Sequence, residues 1–336
     1  MSNTQVSSDA RELLSQTLVW DNHACMPLRH GDDDFLPQLE RCREAGCDVV
    51  SLNIGFGFKT LDEHLRTAAL FRRWVSQRPE RYRLAKSLSD IDEARESGQL
   101  AIVFDVEGMA LLDEGDYGLV SMLRELGVIW MLVAYNKNNA AGGGCADEDP
   151  GLTPHGKAIL KEMKRVGMIA CCSHTGHRTA MDVMEAADNP VVFSHSNASA
   201  VHSHFRNIPD ELILACAETG GVVGINGIGE FLGENGDYAE LLLRHIDHVS
   251  ELAGPEHVGL GLDYVYDQQE LLDYLKAHPE LFGVDPEPKV RMAGPEVLPE
   301  LVAAMLQRGY QQRHIEMILG GNWRRVAQQV WIDGQR

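Results

Sequence analysis

One ten-residue stretch organises the chain: LVWDNHACMP, residues 18–27. An apolar run enters it, a proline closes it, and its polar end carries His23 and Cys25, two residues apart. Side chains alternate faces along a β-strand, so these two side chains would point the same way. The stretch therefore predicts a buried first strand that presents two candidate metal ligands at its carboxyl end.

Seven more runs of this kind follow along the chain. Each is almost continuously apolar, as expected for strands that are buried on both faces of a parallel sheet. The eight predicted strands are 18–26, 48–56, 101–107, 130–136, 168–175, 190–197, 221–228 and 257–265.

Helical patterns fill most of the gaps between these runs, and glycine or proline follows most of them. The predicted helices cover 35–45, 61–77, 89–98, 119–126, 154–166, 209–219 and 238–253. Strands that alternate with helices are typical of an α/β fold, and eight such units in about 250 residues match a (β/α)8 TIM barrel. The alternative is a doubly wound open sheet, but residues 22–27 contain no glycine-rich phosphate loop.

The domain organisation follows from the same pattern. We predict a single domain over 1–336, with the barrel strands at about 18–265. Residues 266–336 are predicted to form a helical extension, proline-rich around 286–299, that packs on the barrel.

Composition excludes some classes of function. The formal net charge is −20, from 30 basic and 50 acidic residues, whereas nucleic acid and anionic membrane surfaces both attract basic patches. No apolar run reaches membrane-spanning length, and residues 1–9 lack the pattern of a secretory signal. The seven cysteines include no C-x-x-C pair. Reduced thiols and a cytoplasmic location are therefore expected.

Polar residues stand at the carboxyl ends of most predicted strands, where barrel enzymes keep their active sites. They are His23 with Cys25, Glu107, Tyr135, His174, His195 and Asp263. Taken singly, each has an ordinary structural explanation, such as a buried histidine or a turn aspartate. Their joint placement would be a rare coincidence, so we predict that they form one site.

Histidine and carboxylate side chains suit Zn2+ or a similar divalent ion. A carboxylate near the middle of the set can bridge two ions, which would polarise a carbonyl group and hold a hydroxide nucleophile. Asp263 is then free to act as general base and general acid.

Several motifs stand in a fixed order along the chain. They are DNHACMP at 21–27, VEG at 106–108, GLTPHG at 151–156, CSHT at 172–175, FSHS at 193–196, RNIPD at 206–210, the run 245–263 and GNWRRV at 321–326. In this order, over roughly residues 18–330, they resemble the membrane (renal) dipeptidase family, peptidase family M19 of the amidohydrolase superfamily.

The resemblance implies a metallohydrolase barrel with His23 and Glu107 at one metal, and Glu107, His174 and His195 at a second. It implies Asp263 as the catalytic acid and base. It also implies that Arg206 holds the terminal carboxylate of the substrate, a task that suits a planar guanidinium. The expected activity is zinc-dependent, dipeptidase-like cleavage of the amide bond of dipeptides or similar small N-acyl amino acids by a metal-bound hydroxide. The resemblance further suggests a homodimer.

Two positions depart from the family pattern. Cys25 stands where the family has a metal-binding aspartate, and Tyr135-Asn136 stands where its fourth strand carries a histidine at the scissile carbonyl. A thiolate can bind zinc, so either the first metal persists with altered affinity or the protein uses one ion. Tyr135 can donate a hydrogen bond to an oxyanion, so Tyr135 and Asn136 are expected at the substrate.

These departures leave two alternatives to the dipeptidase-like function. One is a related hydrolase of another small amide, lactone or imine. The other is a non-catalytic binding protein on a degenerate barrel.

Overall fold

The structure is a computed structural model that describes residues 7–233, 236–282 and 290–331. Its centre is a sheet of parallel strands. These are β1 Trp20–Cys25, β2 Val49–Phe56, β3 Tyr82–Leu84, β4 Leu100–Glu107, β5 Val128–Leu132, β6 Ile169–Cys171, β7 Val191–Val192, β8 Val223–Ile225, β9 Val258–Leu260 and β10 Tyr264–Val265.

Eight of these strands form a barrel. They stand in the order β7-β6-β5-β4-β2-β1-β9-β8, and one parallel bridge between Phe193 and Val223 joins the two ends of this order. The amide of Phe193 also donates to the carbonyl of Val222 at 3.0 Å. The predicted (β/α)8 barrel is confirmed. The remaining two strands are additions, since β3 pairs with β4 and β10 pairs with β1.

The strands on one side of the barrel are shorter than predicted. β6, β7 and β8 contain three, two and three residues, because the chain leaves the ladder before its polar residues. The predicted strand 257–265 is divided at 261–263 into β9 and β10. The predicted strand 130–136 lies at Val128–Leu132, so residues 133–136 belong to the loop above it.

Helices surround the barrel and cover its outer face. They are α1 Ser8–Gln16, α2 Glu40–Glu44, α3 Leu61–Ser76, α4 Leu88–Glu96, α5 Gly118–Leu126, α6 Pro154–Val166, α7 His177–Ala186, α8 Asp210–Glu218, α9 Gly229–Leu232, α10 Tyr238–Ala253, α11 Gln268–Ala277, α12 Pro279–Phe282, α13 Leu298–Arg308, α14 Gln312–Glu316 and α15 Asn322–Val330. None of the helices in these described ranges is both long and apolar enough to cross a membrane.

Local signals explain why several predicted helix bounds are met. At the start of α6, the Thr153 hydroxyl accepts a hydrogen bond from the Gly156 amide and Pro154 occupies the first turn. Gly167 ends this helix with a φ of 71°, a conformation that glycine adopts without a steric penalty. The predicted ranges 154–166 and 238–253 match α6 and α10. Helices α1, α7 and α9 lie outside the predicted ranges.

The C-terminal helices pack on the barrel. Trp323 of α15 is buried, and its indole nitrogen donates to the carbonyl of Leu260 in β9 at 3.0 Å. Helix α13 packs against α1 and α10. These contacts support the predicted single domain, which stays a prediction. Residues 286–289 of the proline-rich segment lie outside the described residues.

Close packing at the closing edge of the barrel requires glycine. A Cβ atom at Gly224 would lie 2.1 Å from the carbonyl oxygen of Ser194, and one at Gly261 would lie 1.9 Å from the same oxygen. Any side chain at either position would push away the segment that follows β7. The two glycines therefore fix the place of His195, which comes directly after Ser194.

Candidate metal centre

Three histidine rings meet at one carboxylate oxygen above the barrel. Oε1 of Glu107, at the end of β4, lies 3.2 Å from Nε2 of His195, 3.3 Å from Nε2 of His174 and 3.6 Å from Nε2 of His23. All four side chains are buried. His23 belongs to β1, whereas His174 and His195 lie in the turns that follow β6 and β7. The (β/α)8 fold thus brings together residues that are far apart in sequence.

The other ring nitrogen of each histidine has a partner outside the cluster. Nδ1 of His23 lies 3.3 Å from Oδ2 of Asp105, and Nδ1 of His174 lies 2.8 Å from Oδ1 of Asn136. Nδ1 of His195 lies 2.8 Å from Oγ of Ser194. When Nδ1 carries the proton and donates to these oxygens, each Nε2 has a lone pair that points at Glu107.

Two atoms in the cluster indicate that a group is needed there. Oε1 of Glu107 and Nε2 of His195 are both buried and have no hydrogen-bond partner. A buried polar atom without a partner costs about 1–3 kcal/mol, and more when it is charged. The ligand atoms of His23, Glu107 and His195 lie within 4.8 Å of one another. A divalent cation would satisfy all of these atoms, so the residues fit a metal ion.

Cys25 brings a sulfur atom to the same place. Its Sγ lies 3.5 Å from Nε2 of His23 and 3.7 Å from Oδ1 of Asp263. Cys25, His23 and Asp263 form a second set whose ligand atoms lie within 4.8 Å of one another. His23 and Cys25 therefore face the same way, as their spacing in the sequence predicts.

Burial controls the charges in the cluster. It raises the pKa of Glu107 to about 8 and also raises the pKa of Asp263, because a carboxylate loses its hydration there. It lowers the pKa of His174 and of His195 well below the ordinary value, which keeps both rings neutral. Burial opposes a charge on His23 too, but the carboxylates of Asp105 and Glu107 outweigh it and raise the pKa of His23. Neutral imidazole is the form that binds metals.

Unusual backbone conformations coincide with the site. In the described part of the chain, the non-glycine residues with positive φ are Asn136, His174 and Asp263, at 57°, 61° and 56°. This left-handed region is unfavourable for residues with a side chain. Such conformations persist only where the surrounding structure imposes them, and they gather at functional sites. Here they aim three polar side chains into one cavity.

The cavity above the cluster has a polar floor and an apolar wall. Its volume is about 250 Å3. Cys25, Glu107, His174 and Asp263 contribute to the floor. The wall contains Phe56, Ile228, Phe231, Val265, Leu271, Tyr274, Val290 and Met292. Such a cavity suits a small ligand with both a polar and an apolar part.

Arg206 brings a buried positive charge to this cavity. Its side chain is 4% exposed, and its Nε has no hydrogen-bond partner. No carboxylate of the described residues lies within 4.0 Å of its guanidinium, which instead lies over the ring of Phe231. Its Nη2 lies 3.5 Å from the carbonyl oxygen of His195, which is a neutral acceptor, so the carboxylate of a ligand would complement the charge.

The structure brings all of the predicted site residues to this end of the barrel. They are His23, Cys25, Glu107, Tyr135, Asn136, His174, His195, Arg206 and Asp263. The ring of Tyr135 stacks on that of His174 with centroids 4.1 Å apart, and both residues line the cavity. Asn136 lines the cavity too, although its side-chain oxygen contacts His174. The individual roles of these residues stay predictions.

A supporting network was missed by the sequence reasoning. Nδ2 of Asn53 donates to Asp105 and to Glu107, at 3.1 Å in each case. The hydroxyl of Ser51 donates to Asp105 at 2.7 Å, and Nδ2 of Asn226 donates to Asp263 at 2.9 Å. One signal was available in the sequence. Asp105 precedes Glu107 by two residues on β4, so both side chains face the site.

Known proteins similar to this chain match both its sequence and its fold. The family model described as Membrane dipeptidase (Peptidase family M19) matches residues 8–284. Dipeptidase tcpJ of Claviceps purpurea is 30% identical over 266 residues, which are 78% of this chain and 58% of that protein. The chain thus spans less than two thirds of that relative's length.

Two solved structures share the fold. An amidohydrolase from Pseudomonas aeruginosa is 23% identical, with a TM-score of 0.86 over 96% of this chain and 99% of that one. A metallo peptidase from Rhodobacter sphaeroides, liganded with a phosphinate mimic of the dipeptide L-Ala-D-Ala, is 20% identical. Its TM-score is 0.75 over 94% of this chain and 100% of that one. The family model matches most of the chain and the solved structures share its fold, so the chain belongs to the membrane dipeptidase family, peptidase family M19.

Proposed function

We propose that this protein is a zinc-dependent, dipeptidase-like hydrolase that cleaves the amide bond of dipeptides or similar small N-acyl amino acids. The observation that carries the proposal is the convergence of three histidine nitrogens on the unpaired Oε1 of Glu107. Arg206 adds a buried guanidinium on the wall of the same cavity. A substrate with a carboxylate and an amide carbonyl complements both features.

Comparison with the Rhodobacter sphaeroides protein supports this substrate class. That protein binds a phosphinate mimic of a dipeptide on the same fold. By family membership, a metal-dependent reaction is the expectation for this chain as well. We propose Zn2+ as the ion, one or two per chain, because imidazole, carboxylate and thiol side chains are its usual ligands. A homodimer and a cytoplasmic location stay predictions.

His23, Glu107, His174 and His195 would hold the metal, with Cys25 beside His23. When bound, a divalent ion supplies a Lewis acid that polarises the scissile carbonyl and promotes the ionisation of water. The chain's own residues do the rest. Oδ2 of Asp263 accepts a hydrogen bond from Asn226, so Oδ1, which faces His23 and Cys25, is the atom that takes up a proton from the attacking water.

The same carboxyl group can complete the reaction. Burial raises the pKa of Asp263, which favours the protonated form once the proton has been taken up. Asp263 then donates this proton to the leaving amine. Asp263 has a φ of 56°, and its side chain lines the cavity beside the cluster.

Two further side chains position the substrate. Burial raises the pKa of the Tyr135 phenol well above its ordinary value, so the hydroxyl keeps its proton and can donate to the carbonyl oxygen. Arg206 binds the terminal carboxylate through its planar guanidinium. We propose that Asn136 acts mainly through His174, whose Nδ1 it contacts at 2.8 Å.

An assay of metal-loaded and metal-stripped protein tests the proposal. The panel contains dipeptides, N-acyl amino acids and lactones, and the variant is Asp263→Asn. We expect hydrolysis of dipeptides with Zn2+, and a loss of about 10²–10⁴-fold in kcat in the variant. Asp113→Asn is the matched control, because Asp113 is exposed and lies outside the cavity.

Three outcomes would contradict the proposal in different ways. Full activity in Asp263→Asn would remove the assigned acid and base. Turnover of lactones without turnover of dipeptides would favour a related hydrolase of another substrate class. No turnover and no bound metal would favour a non-catalytic binding protein.

A further inference from the structure

We propose that Cys25 binds the metal ion as a thiolate next to His23, and that this sulfur makes one metal position select thiophilic ions such as Zn2+ and Cd2+ over Mn2+. The inference deepens the proposed function, because it rests on the same metal site. It concerns the identity of the ion and leaves the identity of the substrate open.

The position of Cys25 carries the first step. Its Sγ lies at the end of β1, 3.5 Å from Nε2 of His23. The same Nε2 lies 3.6 Å from Oε1 of Glu107 and 3.5 Å from Oδ1 of Asp263. Sulfur and two carboxylate oxygens thus lie near the same imidazole nitrogen. With Asp263 kept as the acid and base, His23, Cys25 and Glu107 remain as ligands, and nitrogen, sulfur and carboxylate oxygen are all donors that bind Zn2+.

The second step is the difference between the two sides of Glu107. On one side lie His174 and His195, whose imidazole nitrogens are the only donors that they can give to a metal ion beside Glu107. On the other side stand His23 and Cys25, which offer nitrogen and sulfur. Thiolate ligands favour Zn2+ and other soft ions, whereas oxygen ligands suit Mn2+. The metal positions on the two sides of Glu107 therefore differ in the ions that they prefer, and the position at His23 and Cys25 is the one that selects thiophilic ions. The thiol proton is released to solvent when the ion binds.

A cysteine nucleophile is the competing interpretation of the same atoms. Cys25, His23 and Asp105 follow one another at 3.5 Å and 3.3 Å, as in a cysteine–histidine–aspartate triad. We favour the metal ligand because Nε2 of His23 also faces two carboxylate oxygens. A cation between these atoms satisfies all of them at once, whereas a thiol proton can satisfy only one.

Cd2+ binding to the metal-stripped chain tests the inference. A cadmium–thiolate bond produces a charge-transfer band in the ultraviolet, which does not depend on catalysis. We expect wild-type protein to show this band and Cys25→Ser to lack it. Cys145→Ser is the matched control, because Cys145 is also half-buried at the site but contacts Asn136 and belongs to neither candidate metal set. It should keep the band.

Metal competition gives a second readout. The ratio of Zn2+ to Mn2+ affinity should fall by about tenfold or more in Cys25→Ser, since even the loss of a residue that supports a metal ligand costs about 10–100-fold in affinity. Cys25→Asp restores a charged oxygen donor and should shift the preference towards Mn2+. The 113Cd NMR shift of wild-type protein reports sulfur ligation without any variant, so a misfolded variant does not remove the test.

Several results would overturn the inference. They are a wild-type protein without the band, a band that survives in Cys25→Ser, and an unchanged affinity ratio. A covalent acyl adduct on Cys25, found by mass spectrometry of the wild-type protein, would instead establish Cys25 as a nucleophile. The dipeptide assay is a separate readout. Hydrolysis without the band contradicts this inference alone, whereas the band without hydrolysis contradicts the proposed function alone.

Discussion

Replacing Asp105 with asparagine should weaken His23 as a metal ligand although all of the ligand residues stay unchanged. Oδ1 of Asp105 accepts from Nδ2 of Asn53, so the new NH2 group cannot take that position without facing another donor. It must take the position of Oδ2, where it meets the hydroxyl of Ser51 and Nδ1 of His23. A hydroxyl can turn to accept, but Nδ1 accepts only if it loses its proton.

The consequence is a change of tautomer. When Nδ1 of His23 becomes the acceptor, the proton moves to Nε2, the nitrogen that faces Glu107 and Cys25. A protonated Nε2 cannot bind a metal ion. Loss of such an outer partner costs about 10–100-fold in metal affinity, which is about 1.4–2.7 kcal/mol. We expect the loss in Asp105→Asn to lie towards the upper end of this range, because the variant changes the tautomer of His23 as well as removing the carboxylate that orients its ring.

Calorimetric titration with Zn2+ measures this effect, and 15N NMR of the imidazole reports which nitrogen carries the proton. Ser51→Ala is the matched control. It removes the 2.7 Å hydrogen bond to Asp105 but leaves the carboxylate opposite His23, so the tautomer should not change. Wild-type affinity in Asp105→Asn, with the proton still on Nδ1, would refute the reasoning.

Three further predictions concern other parts of the molecule. Burial lowers the pKa of His245 from 6.5 to about 4, so this histidine takes up its proton at a higher pH in the unfolded chain than in the folded one. The free energy of unfolding should therefore drop by up to about 3 kcal/mol between pH 6.5 and pH 4. Chemical denaturation should show a smaller drop for His245→Gln. Trp323→Ala should lower the free energy of unfolding by about 3–5 kcal/mol. Trp323→Phe removes mainly the hydrogen bond to Leu260 and should lower it by about 1 kcal/mol. Equal losses in the two variants would contradict the packing role. Phe56 lies 5.2 Å from Tyr135 and 5.4 Å from Tyr274 between ring centroids. Phe56→Ala should lower kcat/KM for dipeptides with a bulky apolar residue by roughly fivefold, from about 1 kcal/mol of lost aromatic contact, and should spare glycine-containing dipeptides; a uniform loss across the panel would contradict it.

The sequence predicted the ligands better than it predicted what holds them. His23, Glu107 and His195 stand at the ends of apolar runs, and a parallel barrel brings such ends together whatever the details of the turns. Asn53 and Asn226 lie within the predicted strands 48–56 and 221–228, but the partners of their side chains depend on the register between neighbouring strands. A pattern along one strand does not contain that register.

The turns after the short strands also escaped prediction. The apolar pattern predicted a strand over 168–175, yet His174 lies beyond β6 with a φ of 61°. The division of 257–265 at 261–263 is similar, since the Leu262 amide there donates to Asp21, 241 residues away. Tertiary contacts of this range override local preference, and they are absent from any local window of sequence.

The pairing of β1 with β9 and β10 governs when the site can exist. His23 is among the first residues of the barrel to be synthesised, but its neighbour Asp263 and the strands that flank β1 on one side come about 240 residues later. Until that length of chain is available, β1 has an open edge and the metal ligands remain on separate segments. Because domains fold as units during synthesis, the centre is assembled only when the barrel closes. An ion held by His23 of β1 and by His174 and His195, which follow β6 and β7, would then connect the first strand to strands made much later and would oppose opening of the barrel.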